Sequence, residues 1–242
     1  DNAIVGKSST NLTVNNSGKI YSSGAKAVSF RQGSGATLSN NSGATIYAAT
    51  NTISGNHNDT ENATITNSGT IYSTDASTNT IIFGVGSTGN SIVNNAGGEI
   101  YTEGTGATIK LGASSTLTNS GTIKTGSVSS RAINAAGSNN TITLKDDGKI
   151  IGIISSASGT TGNKLQMQHG FGQGYFYDTS GDFTLEDLDG NQVVKGSAGS
   201  VGQGGSETLD ELLGYKSLNI RKSLNRYKKS KSFIEGKDSW GE

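Results

Sequence analysis

No cysteine occurs among the 242 residues, so neither a disulfide framework nor a thiolate metal site can form. Proline is absent as well. A loop-rich chain without proline avoids the prolyl isomerisation delay of ~10–100 s, which suits a protein that crosses a membrane pore extended and folds afterwards. No apolar run approaches ~18 residues, and the chain opens without a secretory leader. It is therefore expected to be a mature or trimmed product with no membrane span. The two histidines, His57 and His169, lie in different segments, and G-x-S-x-G, H-E-x-x-H and G-x-x-x-x-G-K-[ST] are missing. Glu186, Asp187 and Asp189 form the densest acidic group, but the "DLDGN" around them lacks the spacing and final Glu of an EF-hand loop. Catalysis, cofactors, metals and nucleic acid are not expected. A structural or binding protein is.

Hydrophobic residues are scarce, at 31%, while glycine is abundant, at 36 residues. Bulk composition of this kind permits disorder. Pattern argues against it. "NNSGKIYSSG" (Asn15–Gly24) returns as "NNSGATIYAA" (Asn40–Ala49), "NSGTIYST" (Asn67–Thr74), "NNAGGEIYTE" (Asn94–Glu103) and, worn, as "NSGTIKTG" (Asn119–Gly126). The repeated isoleucines Ile20, Ile46, Ile71, Ile100, Ile123 and Ile150 are spaced by 26, 25, 29, 23 and 27 residues. A period in this range marks a solenoid. The units are rich in Gly, Ser, Thr and Asn and carry β-branched residues at their apolar positions, with no 3.6-residue period. The expected fold is all-β: a right-handed parallel β-helix of about six coils, with a period of about 26 residues.

Each coil offers three short apolar segments. The first is the Ile-Tyr strand. The second carries Val28/Phe30, Ile53, Ile81/Phe83, Ile109/Leu111 and Ile133, and the third Val14, Leu38, Ile65, Val93, Leu117 and Leu144. Stacking at ~4.8 Å per rung would pile these into interior ladders. Each buried Ile, Leu or Val contributes roughly 1.5–3 kcal/mol, so a narrow core needs few apolar residues per turn. The Asn-Ser-Gly corner reads as a turn, in which Asn and Gly accept left-handed backbone and Asn side chains can bond along the axis.

Side chains alternate along a strand, so an inward Ile20 sets Tyr21 outward. Tyr21, Tyr47, Tyr72 and Tyr101 are expected to form an exposed column, continued by Lys124 and Ile151. Such a column stabilises a sheet by cross-strand contact and also offers a protein-binding stripe, because Tyr is enriched at hot spots. Tyr21, Tyr47, Tyr72, Tyr101 and Lys124 are the candidate receptor-binding residues.

The coils are assigned to residues 1–154. Residues 155–205 read as a C-terminal β cap, with aromatic residues Phe171, Tyr175, Phe176 and Tyr177 and a hairpin across Asp182–Gly196 whose arms carry Phe183/Leu185 and Val193/Val194. Residues 206–242 read as a short helix, opened by a Thr208/Glu211 capping box, and a basic linker that is helical or disordered. Net charge is zero, but residues 216–242 hold eight Lys/Arg against three acids, which leaves +5 there and −5 in the body. Arg221, Lys222, Arg226, Lys228, Lys229 and Lys231 form the basic tail, suited to anionic glycans such as heparan sulfate or to a solvated linker.

Taken together, the degenerate N-S-G-x-I coils, the Cys-free Gly/Ser/Thr/Asn body, the aromatic cap and the charged linker resemble bacterial autotransporter passenger domains. "GDFTLEDLDGNQVVKGSAGSVGQGGSETLDELLGYKSLNIRKSL" (Gly181–Leu224) is the most distinctive stretch and is similar to the passenger ends of Bartonella autotransporters of the proangiogenic kind. The resemblance implies a right-handed β-helix delivered through an outer-membrane barrel that is not part of this chain. It also implies a location outside the cell or on its surface, and action on endothelial cells through the vascular endothelial growth factor (VEGF) receptor. The alternative is an adhesin or self-associating surface passenger that mediates attachment.

Overall fold

The computed structural model of the protein describes residues 1–55, 60–146, 148–168, 177–190, 193 and 212–227. Strands of two to five residues recur with turns between them, and every pairing among the described strands is parallel, with a register shift between Arg131 and Ile133 where Arg131–Ala135 meets Ile153–Ser156. Three sheets result. Two have eight strands, one from Ile4–Val5 to Asp178–Ser180 and the other from Thr13–Asn16 to Thr184–Asp187. The third, here the tyrosine sheet, has six, from Lys19–Ser22 to Lys149–Ile151. One strand from each sheet makes one turn, and the whole is a parallel β-solenoid of about seven turns, consistent with a right-handed β-helix.

The interior consists of ladders. In the tyrosine sheet Ile20, Ile46, Ile71, Ile100, Ile123 and Ile150 sit in register. The four middle members are fully buried, and the two end members are partly buried. Ile4, Val28, Ile53, Ile81, Ile109, Ile133 and Ile154 form the second ladder. The third runs Val14, Leu38, Ile65, Ile92, Leu117, Ile142, Leu165, Leu185. Two members of this ladder differ from the sequence expectation. Ile92, not Val93, points inward, and Ile142 rather than Leu144 takes the equivalent rung, because register follows the paired Thr-x-Thr-Asn frame of the neighbouring strands. Leu144 is also buried, but it stands where Asn119 stands one turn earlier.

Stacking does not stop where the sequence period fails. Ile153–Ser156, Lys164–Gln168, Asp178–Ser180 and Thr184–Asp187 continue two of the sheets in parallel beyond residue 154. Of the arm expected as half of a hairpin, Leu185 lies in a further solenoid strand, Thr184–Asp187, with Phe183 just before it and packed against the core, and the strand ends in a turn closed by Gly190 N–H to Asp187 O at 3.2 Å. Val193 of the second arm packs partly buried against the core, and Val194 lies outside the described residues. So do Phe171, Tyr175 and Phe176 of the aromatic cap, while Tyr177 is buried in the core. Thr208 and Glu211 also lie outside, and residues 212–227 form a helix exposed on all sides.

Two polar columns hold the corners. Asn16, Asn40, Asn67, Asn94 and Asn119 end successive strands and are buried. Each Nδ2 donates to the next Oδ1 at 2.8 Å, four bonds in line. Each also reaches backbone carbonyls across the corner, as Asn67 does to Gly69 O and Glu99 O. In the short corners Gly69 and Gly121 are required by closeness: a Cβ would run into the backbone oxygens of Ala44 and Gly98. A second column sits at another turn, where Asn11, Gly35, Asn62, Gly89, Ser114, Asn139 and Gly162 all have positive φ, from 49° to 70°. Asn and Gly partly alternate there. A Cβ on Gly35, Gly89 or Gly162 would strike Oδ1 of Asn11, Asn62 or Asn139 one turn below, so side chain and empty space interlock.

Candidate functional site

The tyrosine sheet presents its non-isoleucine side to solvent. Register aligns Tyr21, Tyr47, Tyr72 and Tyr101 rung by rung, then Lys124, then Ile151. All five candidate receptor-binding residues therefore lie in one column, as alternation from the buried isoleucines requires.

The rings stack on one another. Centroid separations run 5.5, 5.0 and 4.8 Å, with interplanar angles of 13°, 8° and 4°. The closest pairs match the ~4.8 Å strand spacing, so the backbone repeat itself sets the stacking distance. One consequence departs from the expected exposed column. Tyr21 is 56% exposed, but the other three rings are only half-exposed, since each ring covers the next. Ring faces are covered inside the stack, so the exposure that remains to the inner rings lies at their edges.

Cations sit at both ends. Lys19 Nζ lies 5.6 Å from the Tyr21 ring centroid and 4.9 Å from that of Tyr47. Hydrogen bonding to Tyr47 and attraction to its phenolate raise the Lys19 ammonium above its usual range. Lys124 Nζ lies 4.6 Å from the Tyr101 centroid and is ion-paired to Glu99, one strand earlier. Lys124 thus closes the aromatic stack by a cation–π contact. Burial pushes the Tyr72 and Tyr101 phenols above the usual tyrosine value.

Sequence reasoning missed Lys19 and Glu99 as parts of this surface. Their signal is the same alternation: both stand two residues before a column member, hence on the same outward face.

The basic tail is only partly described. Arg221, Lys222 and Arg226 are exposed on the 212–227 helix, and Lys228, Lys229 and Lys231 lie outside the described residues, as do His57 and His169. Among the described residues there is no helix long and apolar enough to cross a membrane, and no group of three or more His, Cys, Asp or Glu poised to hold a metal. In the described part of "DLDGN", Asp187 to Gly190, the Asp187 carboxylate is turned into its own loop, where Oδ1 accepts Asp189 N–H at 2.8 Å.

No protein family, curated protein or solved structure matches the chain.

Proposed function

We propose that this protein is a secreted, non-catalytic autotransporter passenger that acts as a proangiogenic ligand for an endothelial receptor tyrosine kinase of the VEGF-receptor class. The resemblance of the Gly181–Leu224 block to Bartonella passenger ends supplies the receptor class. The single observation that carries a binding role is the tyrosine stack: four phenol edges on a rigid sheet, flanked by Lys19 and Lys124. Tyr side chains give large contact area with few rotatable bonds, and a stack already fixed in place loses little further entropy on binding. Lys124 and Glu99 add charge at one end of the stripe. The basic tail adds screened attraction for heparan sulfate and would keep the ligand near the cell surface.

The test is direct. Purified protein is added to cells that express the receptor and to matched cells that lack it, and receptor phosphorylation is measured. Phosphorylation only in the expressing cells supports the reading. No response in either line, or attachment that appears only when the protein is displayed on a bacterial surface, replaces it with the adhesin reading.

A further inference from the structure

A second surface feature lies away from the tyrosine stripe, where three successive loops lead from the tyrosine sheet into the sheet of Ile81–Phe83, Ile109–Leu111 and Arg131–Ala135. It is a cleft of about 470 Å³, within the range of small-ligand sites. Ser77, Asn79, Ser130 and Asn134 line it with hydroxyls and amides, and Lys110 and Arg131 bring two cations. Register sets Lys110 beside Asn134 on adjacent strands, which fixes one cation next to one amide.

The charge of this cleft is uncompensated. Among the described residues neither Lys110 nor Arg131 has an acidic partner, and no Asp or Glu lines the cleft. The near carboxylate, Asp75, is turned into its own loop, where it accepts Ser77 N–H at 2.7 Å, Ser77 Oγ–H at 3.0 Å and Thr78 N–H at 3.0 Å. Among the described residues the Asn79 side-chain amide has no hydrogen-bond partner, although its backbone N–H is held by Asn51 Oδ1 at 2.9 Å. Among the described residues no aromatic ring lines the cleft. Stacking on a sugar face is thus unavailable, and recognition must come from charge and hydrogen bonds. Arg presents a planar fork suited to an oxyanion, Lys a point charge, and the surrounding hydroxyls and amides suit hydroxyl-bearing ligands.

We infer that this cleft binds a sulfated oligosaccharide, with a sulfate group between Lys110 and Arg131 and its hydroxyls on Asn79, Ser130 and Asn134. The site is independent of the tyrosine stripe and of the C-terminal tail. It stands whether or not the stripe meets a receptor.

Three ligands and three proteins test it by titration calorimetry. The ligands are a heparin-derived tetrasaccharide, short enough to report a single site, its desulfated N-acetylated counterpart, and inorganic sulfate. The proteins are the full chain, a Lys110→Gln/Arg131→Gln variant that keeps much of each aliphatic stem, and an Arg221→Gln/Lys222→Gln/Arg226→Gln tail variant. Charged hydrogen bonds of this kind carry at least a tenfold effect each. The full chain and the tail variant should bind the sulfated tetrasaccharide alike. The cleft variant should bind at least tenfold more weakly with an unchanged melting temperature, and the desulfated sugar should be weaker by a similar factor. Unchanged affinity in the cleft variant overturns the proposal, as does a loss confined to the tail variant. Equal binding of the desulfated sugar also overturns it. Inorganic sulfate that binds as tightly as the tetrasaccharide would make this a free-anion site and would overturn the saccharide assignment.

Discussion

Asn67 shows how much one residue does in a structure this narrow. It donates to Asn94 Oδ1, Gly69 O and Glu99 O, and it accepts from Asn40 Nδ2 and Gly69 N–H. All of this happens with no solvent access. Replacing it with Ala would strand buried groups on the turns above and below, at about 1–3 kcal/mol for each group left unpaired. Asn67→Ala should therefore lower the melting temperature by several degrees, as read by circular dichroism, whereas Asn41→Ala, at an exposed site, should leave it within experimental scatter. The tyrosines make a second residue-scale prediction. Burial holds Tyr72 and Tyr101 protonated beyond the usual tyrosine value of 10.0. The unfolded chain gives up these protons first, so their contribution is fully present below pH 10 and is lost as pH rises through the folded values. Tyrosinate absorbance should show a late-titrating component, and the melting temperature should fall above about pH 10. Burial raises the Tyr177 phenol in the same way, so the late component should shrink in Tyr72→Phe/Tyr101→Phe without vanishing, and an undiminished component would contradict its assignment to the stack.

At the scale of the element, the isoleucine ladder is both the most legible feature in the sequence and the most sensitive to change. Ile71 stands between Ile46 and Ile100 and is fully buried. Aspartate there places an unpaired charge in a core that no side chain can neutralise. The cost of several kcal/mol is comparable with a typical total stability of about 5–15 kcal/mol. Ile71→Asp should abolish cooperative unfolding of the solenoid in a thermal melt, and a variant that melts like the parent would refute the inward register. Repetition explains why this ladder and the tyrosine column could be read from residues alone: each copy states the same alternation, so a single inward position fixes the rest. Repetition also explains the misses. Val93 follows Ile92, two adjacent β-branched residues, and only pairing with Ile65 and Leu117 decides which faces in. Leu165 and Leu185 continue a ladder with no Asn-Ser-Gly phrase beside them, so the strands beyond residue 154 left no periodic mark. The positive-φ column was hidden because Asn, Gly and Ser share the role. The half-burial of the tyrosines depends on ring stacking, which alternation alone does not specify. The cleft escaped notice because it joins three loops 25 or so residues apart, with Lys110 and Arg131 in separate turns.

At the scale of the whole molecule, the protein is a rod of short parallel strands with its charges set apart. The tail beyond residue 215 carries +5 and the remainder −5. Its described part, residues 216–227, is exposed on every side, so the solenoid does not depend on it. Removing residues 212–242 should leave the far-ultraviolet spectrum and melting temperature of the solenoid unchanged and should lower the salt needed to elute the protein from long-chain heparin. Equal elution would assign the tail a purely linking role. The central claim concerns the stripe. Cross-strand contacts contribute about 0.2–1 kcal/mol per pair to the sheet, which seven turns of stacked core can lose, while a hot-spot tyrosine costs about 2 kcal/mol or more in affinity when truncated. The most direct test is the Tyr47→Ser/Tyr72→Ser/Tyr101→Ser variant, first verified as folded by circular dichroism and then titrated against the immobilised receptor ectodomain beside the parent chain. The account predicts an intact solenoid whose receptor binding is lost. A folded variant that binds as tightly as the parent would contradict it.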